Sequence, residues 1–81
     1  MAEVKVLKSP GCSRCAQALV LVRKLQEEMP GLSVEEVDIT EHPEEVLKHQ
    51  LMMSPGIVIN GKLEFIGVPK EEELRQKLAH A

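Results

Sequence analysis

The sequence predicts an α/β fold, as one domain over residues 1–81, with a mixed four-stranded sheet flanked by helices. Three observations carry this prediction. Strand-like and helix-like apolar patterns follow one another in the order β-α-β-α-β-β-α. A long helix separates the first two strands, which implies a parallel pair joined by a right-handed crossover. The dipeptide Asn60-Gly61 then predicts an antiparallel hairpin.

The first strand and the first helix are separated by a turn. Residues 3–8 alternate apolar and charged side chains, as a half-buried strand does. Residues 9–11, Ser-Pro-Gly, interrupt this pattern, and residues 12–28 then carry apolar side chains at helical steps. This helix is expected to end at Pro30-Gly31 and to bury one face, formed by Cys15, Ala18, Leu19, Leu21, Val22, Leu25 and Met29.

The middle of the chain predicts a second strand and a short helix. Residues 32–39 have the composition of a strand. Thr40 is the expected N-cap of the helix, because a hydroxyl can accept a hydrogen bond from the first unpaired N–H groups. Pro43 and two glutamates suit the first turn, and the helix is expected to end near Gln50.

The last part of the chain predicts a hairpin and a final helix. Residues 57–59 and 63–66 are the two strands that flank Asn60-Gly61. The final helix is expected to begin at Pro69 and to place three glutamates in its first turn. Its predicted core residues are Leu74 and Leu78, and its predicted ion pairs are Glu71–Arg75 and Glu73–Lys77.

Composition excludes several kinds of partner. The net charge is −3 and Phe65 is the only aromatic residue, so neither phosphate neutralisation nor base stacking favours a nucleic acid. Residues 1–25 hold five bases and one acid, a balance of +4, whereas the remainder holds five bases and twelve acids, a balance of −7.

The first residues, MAEVKVLK, lack the apolar segment of a signal peptide, and no apolar run reaches the length of a membrane span. We therefore expect a cytoplasmic protein with no membrane partner.

The only two cysteines lie at the junction of the first strand and the first helix. Cys12 falls where the strand ends and the helix begins, and Cys15 lies in the first turn of that helix. Unpaired backbone N–H groups and the positive end of the helix dipole would stabilise a thiolate at Cys12, with help from Lys8 or Arg14. Cys15 would be close enough to attack a mixed disulfide formed at Cys12 and release the partner reduced.

The residues alone leave other roles open for this pair. The thiols could be inert core residues, or incidental to a binding adaptor. A zinc site needs four ligands, but none of the three histidines has a convincing spacing to the cysteines, and His42 and His49 are expected to be solvated. A Cu(I) carrier could use the two thiolates alone, with Met52 or Met53 as extra ligands, although small copper carriers follow the order β-α-β-β-α-β. We expect no metal and no bound cofactor.

A proline before the hairpin completes a recognisable pattern. A first strand, Cys-x-x-Cys at a helix start, a second strand, a short helix, and then Ser54-Pro55 before the hairpin resemble the thioredoxin–glutaredoxin superfamily. The stretch MSPGIVINGKLEFIGVPKEEELRQKL most resembles its short, glutaredoxin-sized thioredoxin-like members from archaea and bacteria. The resemblance implies a thioredoxin-like fold in which Cys12 is the exposed nucleophile and Cys15 the buried resolving thiol. It also implies that Pro55 is cis and that the Ser54 backbone pairs with an extended substrate segment.

The chain departs from the family pattern at two places. Ser13-Arg14 replaces the proline-containing pair between the cysteines, and Arg14 should favour the thiolate and hence the reduced form. Residues 67–71, Gly-Val-Pro-Lys-Glu, replace the glutathione-binding run of glutaredoxins, so a protein dithiol is the better partner. We therefore predict a monomeric cytoplasmic thiol–disulfide oxidoreductase that reduces protein disulfides and receives electrons from a thioredoxin-reductase-like donor.

Overall fold

Four strands and three helices follow one another in the predicted order β-α-β-α-β-β-α. The structure is a computed structural model and describes residues 2–81. Its elements are β1 (Glu3–Lys8), α1 (Ser13–Glu28), β2 (Ser33–Asp38), α2 (Pro43–His49), β3 (Gly56–Ile59), β4 (Lys62–Ile66) and α3 (Glu71–Ala79). The α/β class and the thioredoxin-like element order are thus confirmed. The helix α2 lies between β2 and β3, where the order β-α-β-β-α-β of small copper carriers has no helix.

The four strands form one mixed sheet in the order β2-β1-β3-β4. Strand β1 is parallel to β2, from Glu3 opposite Ser33 to Lys8 opposite Asp38, and antiparallel to β3. Strands β3 and β4 form the predicted hairpin, whose turn residues Asn60 and Gly61 both have positive φ, 50° and 85°. A two-residue turn of this kind requires positive φ at both positions, which explains the Asn-Gly dipeptide.

The sheet has an apolar layer on each face. On one face, the buried side chains of α1 and α3 pack on alternate residues of β1 and β3; this cluster includes Val4, Val6, Val22, Leu25, Ile57, Leu74 and Leu78. On the other face, Val46 of α2 packs on a smaller cluster formed by Leu7, Val37, Leu51 and Val58. Alternation along β1 therefore places Val6 under α1 and Leu7 under α2. Both cysteines lie at the end of the sheet where β1 stops.

Three local predictions are wrong, each because a different partner is better placed. Thr40 does not cap α2, because the N-cap position of this helix is His42, two residues further on; the N–H and the hydroxyl of Thr40 both donate to Asp38 Oδ1, over 2.9 and 2.6 Å. Lys77 binds Glu64 of β4, at 3.2 Å, rather than Glu73 one turn away. The side chain of His49 is only 6% exposed, because α2 lies across the sheet and places this ring 4.0 Å from Glu45.

Within residues 2–81, no helix combines the length and the apolar character that a membrane crossing requires.

Candidate active site

Cys12 is the N-cap of α1. The turn at residues 9–11 ends β1, and Cys12 then adopts extended backbone angles, φ −93° and ψ 107°, immediately before the helix. Its Sγ accepts a hydrogen bond from the backbone N–H of Cys15 over 3.1 Å, and its carbonyl accepts one from Ala16 over 3.3 Å. The sulfur therefore takes the place that a serine or aspartate oxygen usually has at a helix N-terminus. The chain thus places this sulfur at the positive end of the helix dipole.

The structure joins Cys12 and Cys15 in a disulfide, with their Cα atoms 5.2 Å apart. The two residues differ in exposure: Cys12 is partly buried, whereas Cys15 is only 3% exposed. Cys15 lies on the inner face of α1, where its neighbour on the same stripe is the fully buried Ala18. A partner protein can therefore reach Cys12 far more easily than Cys15.

A second loop, containing Ser54 and Pro55, lies against Cys12. The Ser54 hydroxyl is 3.7 Å from Cys12 Sγ, within the distance of a hydrogen bond to sulfur. Pro55 is fully buried, the Ser54–Pro55 peptide bond is cis, and the carbonyl of Pro55 accepts a hydrogen bond from Gly67 over 2.7 Å. Gly67 has φ 89°, a conformation that favours glycine, and it therefore holds the end of β4 against this loop.

Ser9 is a site residue that the sequence interpretation missed. Its hydroxyl lies 2.8 Å from the Ser54 hydroxyl, although the two residues are separated by 45 positions. In the sequence, Ser9 contributes only to a turn signal, and no spacing rule connects it with residue 54. Only the antiparallel pairing of β1 with β3 brings the two loops together at the same end of the sheet.

An open cavity of about 470 Å³ lies beside the cysteines. Its lining includes both cysteines, Lys8 of β1, Asp38 of β2 and the partly buried Leu19 of α1. Asp38 and Leu19 were not expected at the site. In the sequence, Asp38 is one of several charged residues of the second strand and Leu19 belongs to the apolar stripe of the first helix, so neither stands out as a site residue. The cavity therefore offers an apolar wall and two charged groups to a bound segment.

Lys8 lies at the edge of this cavity, but its ammonium is bound elsewhere. It donates to Glu36 Oε1 over 2.9 Å, and this hydrogen bond raises the pKa of Lys8 above its usual value. The pKa of Glu36 is lowered by its hydrogen bonds with Lys8 and then with Arg23. The pKa of Asp38 is lowered chiefly by the Thr40 hydroxyl and N–H. All three groups are thus held in their charged forms at neutral pH.

Arg14 differs from the other cations of residues 1–25. Lys5, Lys8, Arg23 and Lys24 are each bound to a carboxylate from later in the chain, at 2.9 to 3.3 Å. Arg14 has no ion pair within residues 2–81, is exposed, and lies outside the cavity lining. Folding therefore pairs each cation of residues 1–25 with a carboxylate, except Arg14, which lies between the two cysteines in the chain. Whether Arg14 and Lys8 tune the thiols stays a prediction.

Two of the three histidines, His42 and His49, lie beside glutamates. His42 Nδ1 lies 3.0 Å from Glu44, and His49 lies beside Glu45. Across residues 2–81, no group of three or more His, Cys, Asp or Glu side chains is arranged to share a metal ion.

Comparison with known sequences identifies close relatives of this chain. The sequence profile described as the thioredoxin domain matches residues 2–79. A protein named thioredoxin from Methanocaldococcus jannaschii is 39% identical over 73 residues, covering 89% of this chain and 86% of that protein. A probable thioredoxin from Archaeoglobus fulgidus is 38% identical over 77 residues, covering 94% of this chain and 85% of that protein.

Comparison with solved structures finds the same fold. Thioredoxin from Fasciola hepatica superimposes with a TM-score of 0.80 at 24% identity, covering 98% of this chain and 79% of that one. Mitochondrial thioredoxin 3 from Saccharomyces cerevisiae, in its oxidised form, superimposes with a TM-score of 0.82 at 19% identity, covering 99% of this chain and 78% of that one. At these identities the likeness is evidence for the fold.

Proposed function

This chain belongs to the thioredoxin family and is a thiol–disulfide oxidoreductase, and we propose that it reduces protein disulfides in the cytoplasm by dithiol exchange through Cys12 and Cys15. The observation that carries the proposal is the position of this disulfide: Cys12 caps α1 and is partly exposed, whereas Cys15 is buried one turn further on. Such an arrangement suits two thiols with different tasks.

In the first step, the reduced protein attacks its target. The Cys12 thiolate attacks one sulfur of the target disulfide, the target S–S bond breaks, and the departing target thiolate takes up a proton. The Cys15 N–H, 3.1 Å from Cys12 Sγ, and the end of the helix dipole stabilise the attacking thiolate. The product of this step is a mixed disulfide between Cys12 and the target.

In the second step, Cys15 loses its proton and attacks Cys12 Sγ of the mixed disulfide. The bond to the target breaks, the second target thiolate leaves and is protonated, and the Cys12–Cys15 disulfide forms. The target has then gained two electrons from the enzyme and two protons, one equivalent to the proton lost by Cys15 and one taken from solvent. Burial of Cys15 protects it from other disulfides until the first step has brought a sulfur within reach.

The loop at Ser54 is the proposed binding edge for the target. Within residues 2–81, neither the backbone N–H nor the carbonyl of Ser54 has a backbone hydrogen-bond partner. An extended segment of the target could therefore pair with this loop while its disulfide meets Cys12, and main-chain pairing gives affinity without demanding a sequence. The adjoining cavity would take the side chains next to the target cysteine.

The oxidised enzyme needs a reductant, and we propose a protein dithiol supplied by a thioredoxin-reductase-like donor. The donor's dithiol would become a disulfide as Cys12–Cys15 is reduced, so two electrons pass in each cycle. A reducing compartment supports this direction of transfer, because cytosolic systems keep thiols reduced. Detection of the protein in the cytoplasmic fraction of its source cells, largely with free thiols, tests the location.

Reduction of insulin by the purified protein, with dithiothreitol as electron source, tests the proposal. We expect catalysis by the wild type, none by Cys12→Ser, and trapped mixed disulfides with Cys15→Ser. A redox titration read by the mass added on alkylation should give one two-electron transition within roughly −180 to −280 mV, the span from protein disulfide isomerase to thioredoxin. Insulin reduction by Cys12→Ser at the wild-type rate contradicts the proposed mechanism.

A further inference from the structure

Two hydroxyls and one sulfur form a chain across the active site. Ser9 Oγ lies 2.8 Å from Ser54 Oγ, and Ser54 Oγ lies 3.7 Å from Cys12 Sγ. Ser9 belongs to the turn that follows β1, whereas Ser54 precedes Pro55 in the loop before β3. Both serines are partly buried, so water competes with this chain less than it would at an open surface. The dithiol-exchange steps above require neither hydroxyl.

The number of protons fixes the direction of this chain once the disulfide is reduced. A serine hydroxyl carries a single proton and two lone pairs. If Ser54 donates its proton to a Cys12 thiolate, its oxygen can only accept from Ser9. The hydroxyl of Ser9 is therefore the donor of the 2.8 Å hydrogen bond in the reduced enzyme. A hydroxyl that accepts one hydrogen bond also donates a stronger one.

We propose that Ser54 donates a hydrogen bond to the Cys12 thiolate and that Ser9 is a positioning residue, which holds the Ser54 hydroxyl in the orientation that makes this donation. The proposal rests on the proposed function, because it takes Cys12 as the attacking thiol. Ser9 does not contact the sulfur itself. Its effect passes entirely through the Ser54 hydroxyl, which without Ser9 is free to rotate away from Cys12.

The consequence is a larger thiolate fraction at neutral pH. A charged acceptor gains more from a hydrogen bond than a neutral one, so the Ser54 hydroxyl favours the thiolate over the thiol and over the disulfide. The backbone N–H of Cys15 makes the other contact to the same sulfur. Two donors then stabilise Cys12, one in the first turn of α1 and one in the loop before β3. Ser9 links these two segments because it contacts Ser54 and lies three residues before Cys12 in the chain.

The test measures the pH dependence of Cys12 alkylation in the fully reduced, full-length protein. Short pulses of iodoacetamide are given from pH 4 to pH 10, and the mass added to the Cys12 peptide is read. The variants are Ser9→Ala, Ser54→Ala, the double variant Ser9→Ala/Ser54→Ala, and Ser9→Thr, which keeps the hydroxyl. Ser33→Ala, at an exposed serine that begins β2, is the matched control for loss of a hydroxyl elsewhere.

We expect Ser54→Ala to raise the pH midpoint of alkylation by about one pH unit, since a hydrogen bond to a charged group has that order of effect. Ser9→Ala should raise it by a smaller amount, Ser9→Thr should restore it, and Ser33→Ala should leave it at the wild-type value. The double variant should match Ser54→Ala, because Ser9 has nothing to position once the Ser54 hydroxyl is gone.

Two results overturn the inference: an unmoved midpoint in Ser9→Ala, or a Ser9→Ala shift that persists undiminished when Ser54 is already alanine. A merely structural role for Ser9 would lower the melting temperature and leave the midpoint in place, so thermal unfolding is recorded for each variant. A different result contradicts the proposed function itself. That result is an inactive wild type in the insulin reductase assay, whatever the alkylation midpoints show.

Discussion

The backbone N–H of Cys15 donates to Cys12 Sγ over 3.1 Å, so the proposed nucleophile is also the N-cap of α1, the longest helix within residues 2–81. A cap and a nucleophile can be separated by mutation, because serine caps a helix as well as any residue but cannot exchange disulfides. The relationship therefore predicts that catalysis and helix capping respond differently to substitution of the same residue.

The first prediction concerns Cys12→Ser and Cys12→Ala, each combined with Cys15→Ser so that no disulfide contributes. Both double variants should lack reductase activity. The Ala version should be less stable by about 1 kcal/mol, the usual value of an N-cap side chain. For a domain of this size that difference corresponds to roughly 4–8 °C in Tm. Thermal unfolding followed by circular dichroism measures it, since the chain has no tryptophan.

The matched control is Ser33→Ala in the same background. This variant removes the hydroxyl of an exposed serine that lies outside any helix. It should leave the Tm unchanged. Equal stability of the Ser and Ala versions at position 12 contradicts the prediction and means that the sulfur contributes nothing to helix α1 as a cap.

The second prediction concerns Arg14, the cation beside the cysteines that has no ion pair within residues 2–81. A positive charge favours the thiolate and hence the reduced enzyme. Arg14→Gln should therefore make the redox potential more negative. Because the side chain is exposed, the effect should be only about 0.5 kcal/mol, which corresponds to about 10 mV for a two-electron couple.

Lys62→Gln is the matched control, because Lys62 follows the hairpin turn at the opposite end of β1 from the cysteines. Its potential should equal that of the wild type. The Arg14 effect should also shrink in 1 M salt, where charges are screened over about 3 Å. A potential that rises on removal of Arg14 contradicts the argument.

Much of the fold follows from local patterns in the sequence. The element order was predictable because each helix or strand has its own periodicity, and because Asn60-Gly61 and Pro30-Gly31 are strong local signals. The positions of Cys12 and Cys15 at the start of α1 followed from the same patterns. Local signals were sufficient wherever the choice between strand, helix and turn depended on the residues of the segment itself.

The errors arose where contacts distant in sequence decided the outcome. Lys77 prefers Glu64, whose side chain is only 18% exposed, to a glutamate on its own helix. Ser9 meets Ser54 only because strand pairing brings their loops together. Thr40 is a local exception: α2 has its N-cap position at His42, two residues further on, and Thr40 is instead bound to Asp38. Long-range partners of polar groups leave no periodic trace, so sequence patterns do not report them.

The third prediction is a pH dependence of stability centred on Glu36. Folding lowers the pKa of Glu36 from its ordinary value of 4.5, mainly through hydrogen bonds with Lys8 and then Arg23. A lowered carboxyl pKa contributes stability that is fully present above pH 4.5 and is lost as the pH falls through the folded value. Glu36→Gln should therefore reduce the loss of unfolding free energy between pH 6 and pH 3, by on the order of 0.5 kcal/mol after allowance for screening.

Urea unfolding at both pH values, followed by circular dichroism, measures this difference. Glu35→Gln is the matched control, because Glu35 is the exposed neighbour on β2 and has no ion pair within residues 2–81. The alkaline side has the opposite sign. Folding raises the pKa of Lys8 above 10.5, so its contribution is present below that pH and is lost as the pH rises further. An acid loss that is identical in wild type and Glu36→Gln contradicts the prediction.

The fourth prediction concerns Gly56, which follows Pro55 and begins β3. Gly56 is buried, and a Cβ at this position would lie 2.7 Å from Leu51 Cδ1 and 3.2 Å from Leu63 Cδ1. Gly56→Ala should therefore destabilise the protein by about 1–3 kcal/mol, the usual range for added volume in a packed core. Because Gly56 adjoins Pro55, the displaced strand end should also lower kcat/KM for insulin reduction.

A double-mutant cycle with Leu51→Val identifies the cause. If the clash with Leu51 is responsible, the shorter valine makes room for the new methyl group, and Gly56→Ala should cost less in the valine background than in the wild type. The difference should lie within the range of about 0.5–3 kcal/mol seen for residues in contact. Costs that simply add would mean that alanine disturbs the backbone of β3 rather than its packing. In that case Leu51→Val should restore neither stability nor kcat/KM, whereas relief of a packing clash should restore both together.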